Sequence, residues 1–276
     1  MQSYRAPLFG NLPPVIKNLL IINILVFLAD YILPTVGFDL TRLLALHNIQ
    51  SDYFKPFQFV THMFMHGSLT HIFFNMFALV MFGRMLELVW GAKRFLIFYF
   101  VTGIGAAALH SAVNYYSLSG MREAIVAFAN TPSPELFLGY IREYLPNASA
   151  GINDFISSFS SQPNNPGYIN EATAIMAKVF EMHINIPTVG ASGAVFGVLL
   201  AFGMLFPNTQ LMLLFPPIPI RAKYFVIIYG AIELFAAVIP QPGDNVAHFA
   251  HLGGMIFGFF LIKYWNSKGI GKYDRF

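Results

Sequence analysis

The chain has 276 residues, of which 56% are hydrophobic and 11% charged, with a formal net charge of +3. A soluble domain carries about 25% charged residues, so this composition excludes a soluble surface and requires apolar side chains to face lipid. Cysteine is absent, which excludes disulfides, thiolate nucleophiles and Cys-ligated metals, and the basic residues form no run that would bind nucleic acid.

Met1–Pro14 lacks the charged start, short apolar core and small-residue cleavage site of a signal peptide, so the first apolar run is expected to be a retained span. Six apolar segments follow, at about 15–33, 69–90, 95–115, 190–206, 222–239 and 246–265. The fifth stops before Pro240 and the sixth opens near Val246. At about 20 residues per crossing, they predict an all-α, six-helix membrane bundle forming one domain. With both termini in the cytoplasm, the inner side carries Arg5, Lys17, Arg84, Lys93, Arg94, Arg221, Lys223, Lys263, Lys268, Lys272 and Arg275. The outer side carries Arg42, Lys55, Arg122, Arg142 and Lys178, and the inner excess favours this orientation. Asp39, Asp52 and Asp244 then fall outside.

Between the third and fourth spans lies a more polar, extracytoplasmic insert, 116–187. Leu136/Phe137, Tyr140/Ile141 and Tyr144/Leu145 recur at helical spacing, as do Ile175, Val179 and Met182. Asn147–Asn170 is rich in Ser, Asn, Gly and Pro and reads as loop. The insert is therefore expected to form two or three amphipathic helices.

Spans two, four and six all descend from the outside, so their N-terminal ends share one depth. Those ends hold the unusual chemistry: His62, His66, His71 and Asn75; Gly190-Ala191-Ser192-Gly193; and His248, His251, Gly253 and Gly254. Ala191–Phe206 is shorter than a full crossing, so Ser192 is expected below the membrane surface, at the floor of a water-filled cavity. Taken alone, the serine motif also reads as helix packing, since Gly193 and Gly197 form GxxxG. His251, Gly254 and Gly258 share one face of span six. Close approach of two glycine-faced helices would bring the His251 imidazole to the Ser192 hydroxyl, where it can take the proton during attack. His248, one turn above, reads as a cavity-wall or interfacial residue. His71 and Asn75, four residues apart on span two, read either as oxyanion donors or as a polar pair tying helices together.

These residues resemble the rhomboid family of intramembrane serine proteases. His66-x4-His71-x3-Asn75, Gly190-Ala191-Ser192-Gly193 and Ala250-His251-x2-Gly254-x3-Gly258 match its three motifs in order, over about Phe57–Lys263 apart from the insert. Glu87 and Gly91 fall where the family has Glu and Gly, whereas Phe57-Gln58 stand where it often has Trp-Arg. The resemblance implies a Ser–His dyad, with Ser192 as nucleophile and His251 as general base. His71, Asn75 and the Ser192 N–H would form the oxyanion hole. Phe196 falls where a family Tyr often stacks on the catalytic His. The implied reaction is hydrolysis of peptide bonds in or near transmembrane segments of substrate proteins. The implied partners are those substrates and the lipid bilayer, with no metal or cofactor. The absence of an organelle-targeting segment points to the bacterial cytoplasmic membrane.

Three rival readings stand beside this one. An inactive relative would bind transmembrane helices without cutting them. A metalloprotease would use His62-x3-His66 and His248-x2-His251, but neither pair encloses a Glu as a zinc-protease helix does. A transporter would use Glu233, near the middle of span five; otherwise Glu233 is a buried acid satisfied between helices.

Overall fold

A computed structural model describes residues 12–212, 217–239 and 247–269. Arg5, Lys272 and Arg275 of the charge asymmetry, Asp244, most of Met1–Pro14, and the Pro240 and Val246 boundaries lie outside these residues.

The described chain is mostly helical. In order it forms α1 (Pro14–Ile32), α2 (Leu40–Leu44), α3 (Gln58–Thr61), α4 (Leu69–Ala78), α5 (Arg84–Trp90) and α6 (Ala92–Ser117). Then come α7 (Ser119–Asn130), α8 (Pro134–Tyr144), α9 (Ala150–Ser161), α10 (Pro166–Ile184) and α11 (Ser192–Leu205). A two-stranded antiparallel ribbon, β1 (Gln210–Met212) and β2 (Pro219–Arg221), precedes α12 (Ala222–Val238) and α13 (His248–Ser267). Two compact units result. One holds the chain up to Leu46, Lys55–His110 and everything from Pro187; the other holds His47–Phe54 and Ser111–Ile186.

In the first unit, α4 and α5 run on through a π-type turn at Leu79–Gly83 as one 22-residue rod, Leu69–Trp90. Among the described residues three helical stretches are long and apolar enough to cross a membrane: Pro14–Val36, Leu69–Trp90 and Ala92–Asn130. The other three predicted spans are helical but fall short of that measure. α11 has 14 residues and α12 has 17, and the 20 residues of α13 include two histidines and three glycines. Large apolar side chains stay exposed along these helices, among them Leu25 and Leu28 on α1, Ile227 and Phe235 on α12, and Phe260 on α13. Apolar surface on this scale marks a face turned to something other than water, and the chain is an integral membrane protein.

The start of α1 leaves backbone N–H groups without helical partners. The buried Glu87 carboxylate takes two of them, accepting from Val15 N and Ile16 N at 2.9 Å each. A carboxylate at a helix N-terminus also suits the helix dipole. Gly91, at φ +78°, then ends α5, a conformation costly for any residue with a Cβ.

The second unit has its own core of Met121, Phe128, Phe137, Tyr140, Ile141, Phe159, Met176 and Val179. Ser133 caps α8 through Leu136 N, and Asn165 caps α10 through Gly167 N, each followed by a proline suited to a helix start. Two expectations are corrected here. The polar stretch 147–170 is not simply loop: Ile152, Phe155, Ile156 and Phe159 recur at helical spacing and give α9, so four helices form rather than two or three. The buried stripe of α10 is Ala172, Met176 and Val179, and Met182 is exposed.

Candidate active site

Three helices of the first unit meet through small residues. A methyl at Gly193 would lie 2.5 Å from Ala106 Cβ, and one at Gly197 would lie 2.6 Å from Thr102 Cβ. A methyl at Gly254 would overlap the carbonyl oxygen of Gly193. Lipid supplies no hydrophobic drive between helices, so such backbone-to-backbone approach is what packs them. It brings the start of α11 against α13.

Ser192 is the first residue of α11, preceded by Gly190 at φ +125°. The Gly190 N–H donates to the His62 carbonyl at 2.9 Å, tying the turn to the segment before α4. The Ser192 hydroxyl Oγ lies 2.9 Å from His251 Nε2. The Phe196 ring, one turn on, stacks on the His251 ring with centroids 4.1 Å apart and planes 9° apart. His251 is 8% exposed.

On the far side of His251, its Nδ1 is 2.8 Å from Glu233 Oε2 on α12. His248 Nδ1 reaches the same oxygen at 2.6 Å. An ionised Glu233 carboxylate could only accept, so both Nδ1 atoms would donate to it. His251 would then keep a free lone pair on Nε2, the atom that lies 2.9 Å from the Ser192 hydroxyl. This is the tautomer a base requires.

His71 sits against Gly190: a methyl there would lie 2.7 Å from His71 Nε2 and 3.7 Å from Ser192 Oγ. Gly190 therefore serves twice, for its backbone angle and for the space it leaves the imidazole. Ser68 caps α4 by accepting from His71 N at 3.1 Å. His66 lies edge-on to the His71 ring at 5.0 Å. Asn75, one turn along α4 from His71, is buried. His62 and His66 both precede α4, and burial pushes each down to about 4, so both rings are neutral at pH 7. His62 Nδ1 accordingly donates to the Gln58 carbonyl at 2.8 Å.

Ser192, His251, Phe196 and His71 are thus brought together, and Asn75 lies on the helix that carries His71. Glu233 is the residue whose place sequence reasoning missed. It was legible as an ionisable group in mid-span, but nothing in its spacing to His248 and His251 revealed that all three converge. Asp30 and His110 make local polar contacts, to Thr41 Oγ1 at 3.1 Å and Thr188 Oγ1 at 3.0 Å. Among the described residues, one group has metal-ligand composition and closeness: Glu233, His248 and His251, with ligand atoms within 4.8 Å of one another. The His62/His66 pair does not join them.

The Rhomboid domain family model matches residues 53–133 and 166–267. The unmatched stretch between, 134–165, carries α8 and α9. The chain is also 35% identical over 95 residues to Rhomboid protein 1, mitochondrial, from Saccharomyces cerevisiae. That alignment covers 34% of this chain and 27% of the yeast protein.

Proposed function

The chain belongs to the rhomboid family, and from that premise we propose that it is an intramembrane serine endopeptidase, cutting peptide bonds in or near the transmembrane segments of other membrane proteins. The observation that carries this reading is the 2.9 Å hydrogen bond from Ser192 Oγ to His251 Nε2, with Phe196 stacked on the imidazole.

The chemistry follows from that geometry. His251 Nε2 takes the hydroxyl proton as Ser192 Oγ bonds to the substrate carbonyl carbon. The carbonyl oxygen gains negative charge, which His71, Asn75 and the Ser192 N–H stabilise. That N–H opens α11, where the orphan donors and the positive end of the helix dipole lie. The C–N bond then breaks, and His251 returns its proton to the leaving amine. In the second half, His251 takes a proton from water, the hydroxide attacks the acyl carbon, and Ser192 is regenerated with release of the new carboxylate. No step requires a metal or cofactor. A substrate helix must first unwind at the cut, so Gly, Pro or Ser near its outer end favours cleavage.

The wider reading has six spans, counting α11, α12 and α13 as crossings held by protein neighbours. Both termini are then cytoplasmic, a reading the eleven-to-five division of basic residues supports, and the insert is extracytoplasmic.

A serine-directed fluorophosphonate is expected to label the detergent-purified protein at Ser192, mapped by peptide mass. Failure to label, together with failure to cut any transmembrane reporter, would favour the second reading: an inactive family member that binds membrane helices. Asn75→Ala is expected to lower reporter cleavage by about 10²- to 10³-fold, the usual cost of removing one oxyanion donor, with labelling of Ser192 retained. Equal losses of cleavage and folded protein would instead make Asn75 a tie between helices.

A further inference from the structure

We propose that Glu233 is a positioning residue for His251, making the proteolytic machinery a chain of three, Ser192–His251–Glu233, rather than a serine–histidine pair. The inference rests on the serine-protease reading above and adds to it a residue on a different helix.

Glu233 is 6% exposed, and its Oε2 lies 2.8 Å from His251 Nδ1. Two tasks fall to whatever stands at that atom. The first is to keep the proton on Nδ1, so that Nε2 faces Ser192 as an acceptor. Phe196 cannot do this: a stacked ring fixes the imidazole plane but offers Nδ1–H no lone pair. The second task arises when His251 becomes imidazolium during attack. A positive charge in a buried site is costly, and an adjacent carboxylate offsets it by an attraction that grows as the surroundings dry. Phe196 and Glu233 therefore divide the work, the first setting the ring's plane and the second its tautomer and charge.

His248 completes the arrangement. A buried carboxylate needs more than one donor to offset its lost hydration. His248 and His251 are three residues apart on α13, so both Nδ1 atoms reach the same oxygen, His248 at 2.6 Å. His248 thereby anchors the carboxylate in place, and the chain Ser192–His251–Glu233 is pinned at its far end to the helix that carries the base.

The test compares wild type, Ser192→Ala and Glu233→Gln in detergent, with reporter kinetics, thermal unfolding and fluorophosphonate labelling. Glutamine keeps the shape and loses the charge, and its amide N–H₂ can turn toward Nδ1 and favour the wrong tautomer. The expected result is a kcat at least ~10-fold lower with KM within about twofold, a transition-state effect, and an unchanged melting temperature. Labelling of Ser192 slows in step. Nitrogen-15 spectra of the histidine-labelled wild type, assigned through His251→Gln, are expected to show His251 protonated at Nδ1 and unprotonated at Nε2. A Glu233→Gln kcat within about twofold of wild type, or a His251 Nδ1 without its proton, overturns the proposal. If Glu233→Gln does not fold, the wild-type ring spectra decide. Undiminished cleavage by Ser192→Ala would sink the protease reading itself, while the spectra would still report on the Glu233 contact.

Discussion

Alanine at Ser192 is expected to lower cleavage of a transmembrane reporter by about 10⁴- to 10⁶-fold, and alanine at His251 by a similar factor. The reason lies in how the two groups depend on each other. A serine hydroxyl at neutral pH is a weak nucleophile until a base takes its proton. On the proposed mechanism the imidazole 2.9 Å away is that base, and without the hydroxyl it has nothing to activate. The double variant should therefore be no worse than either single one, because groups acting as a unit do not lose activity additively. Single-turnover cleavage in detergent and in liposomes measures this, with unfolding curves to show that each variant is folded. Substantial cleavage by Ser192→Ala would remove the nucleophile assignment. Multiplying losses in the double variant would show two groups acting separately.

Much of this site was written in the sequence because a membrane makes its exceptions conspicuous. Histidines, an asparagine and clustered glycines stand out in apolar runs, and their spacing on a helix fixes which of them share a face. That is how His251 could be linked to Gly254 and Gly258, and His71 to Asn75. Glu233 resisted because spacing along one helix says nothing about the rotation of another. Its partners lie 15 and 18 residues away on α13, and the direction in which α12 turns is set by packing. The second unit hides its helices for a related reason. Asn153, Asp154, Ser157 and Ser160 on the outer face of α9 hide the Ile152–Phe159 stripe, and α10 offers two overlapping stripes of which tertiary contact selects one. The π-type turn at Leu79–Gly83 left no local signal, since the residues there are ordinary helix formers apart from Gly83.

Gly254→Ala is expected to damage the molecule more than any other single methyl addition along α13. Added atoms in a packed interior cost about 1–3 kcal/mol when side chains can move aside. Here they cannot: the methyl would overlap the Gly193 carbonyl oxygen, which is backbone. α11 and α13 must separate, and on those two helices Ser192 is the neighbour of Gly193 while His251 lies one turn before Gly254. A displacement of about 1 Å between reacting groups can cost about 10²-fold in rate, so activity should fall at least that far, with a lowered melting temperature. Gly258→Ala is the internal comparison. Its methyl would meet Phe98 Cζ at 3.2 Å, Thr102 Cγ2 at 3.4 Å and Gly197 Cα at 3.5 Å, distances that small shifts can relieve. Its loss of stability should be smaller, and fluorophosphonate labelling of Ser192 should persist. Equal effects at the two glycines would mean that general tightness of the helix pair matters, and that the Gly193–Gly254 contact has no special hold on the distance between hydroxyl and imidazole.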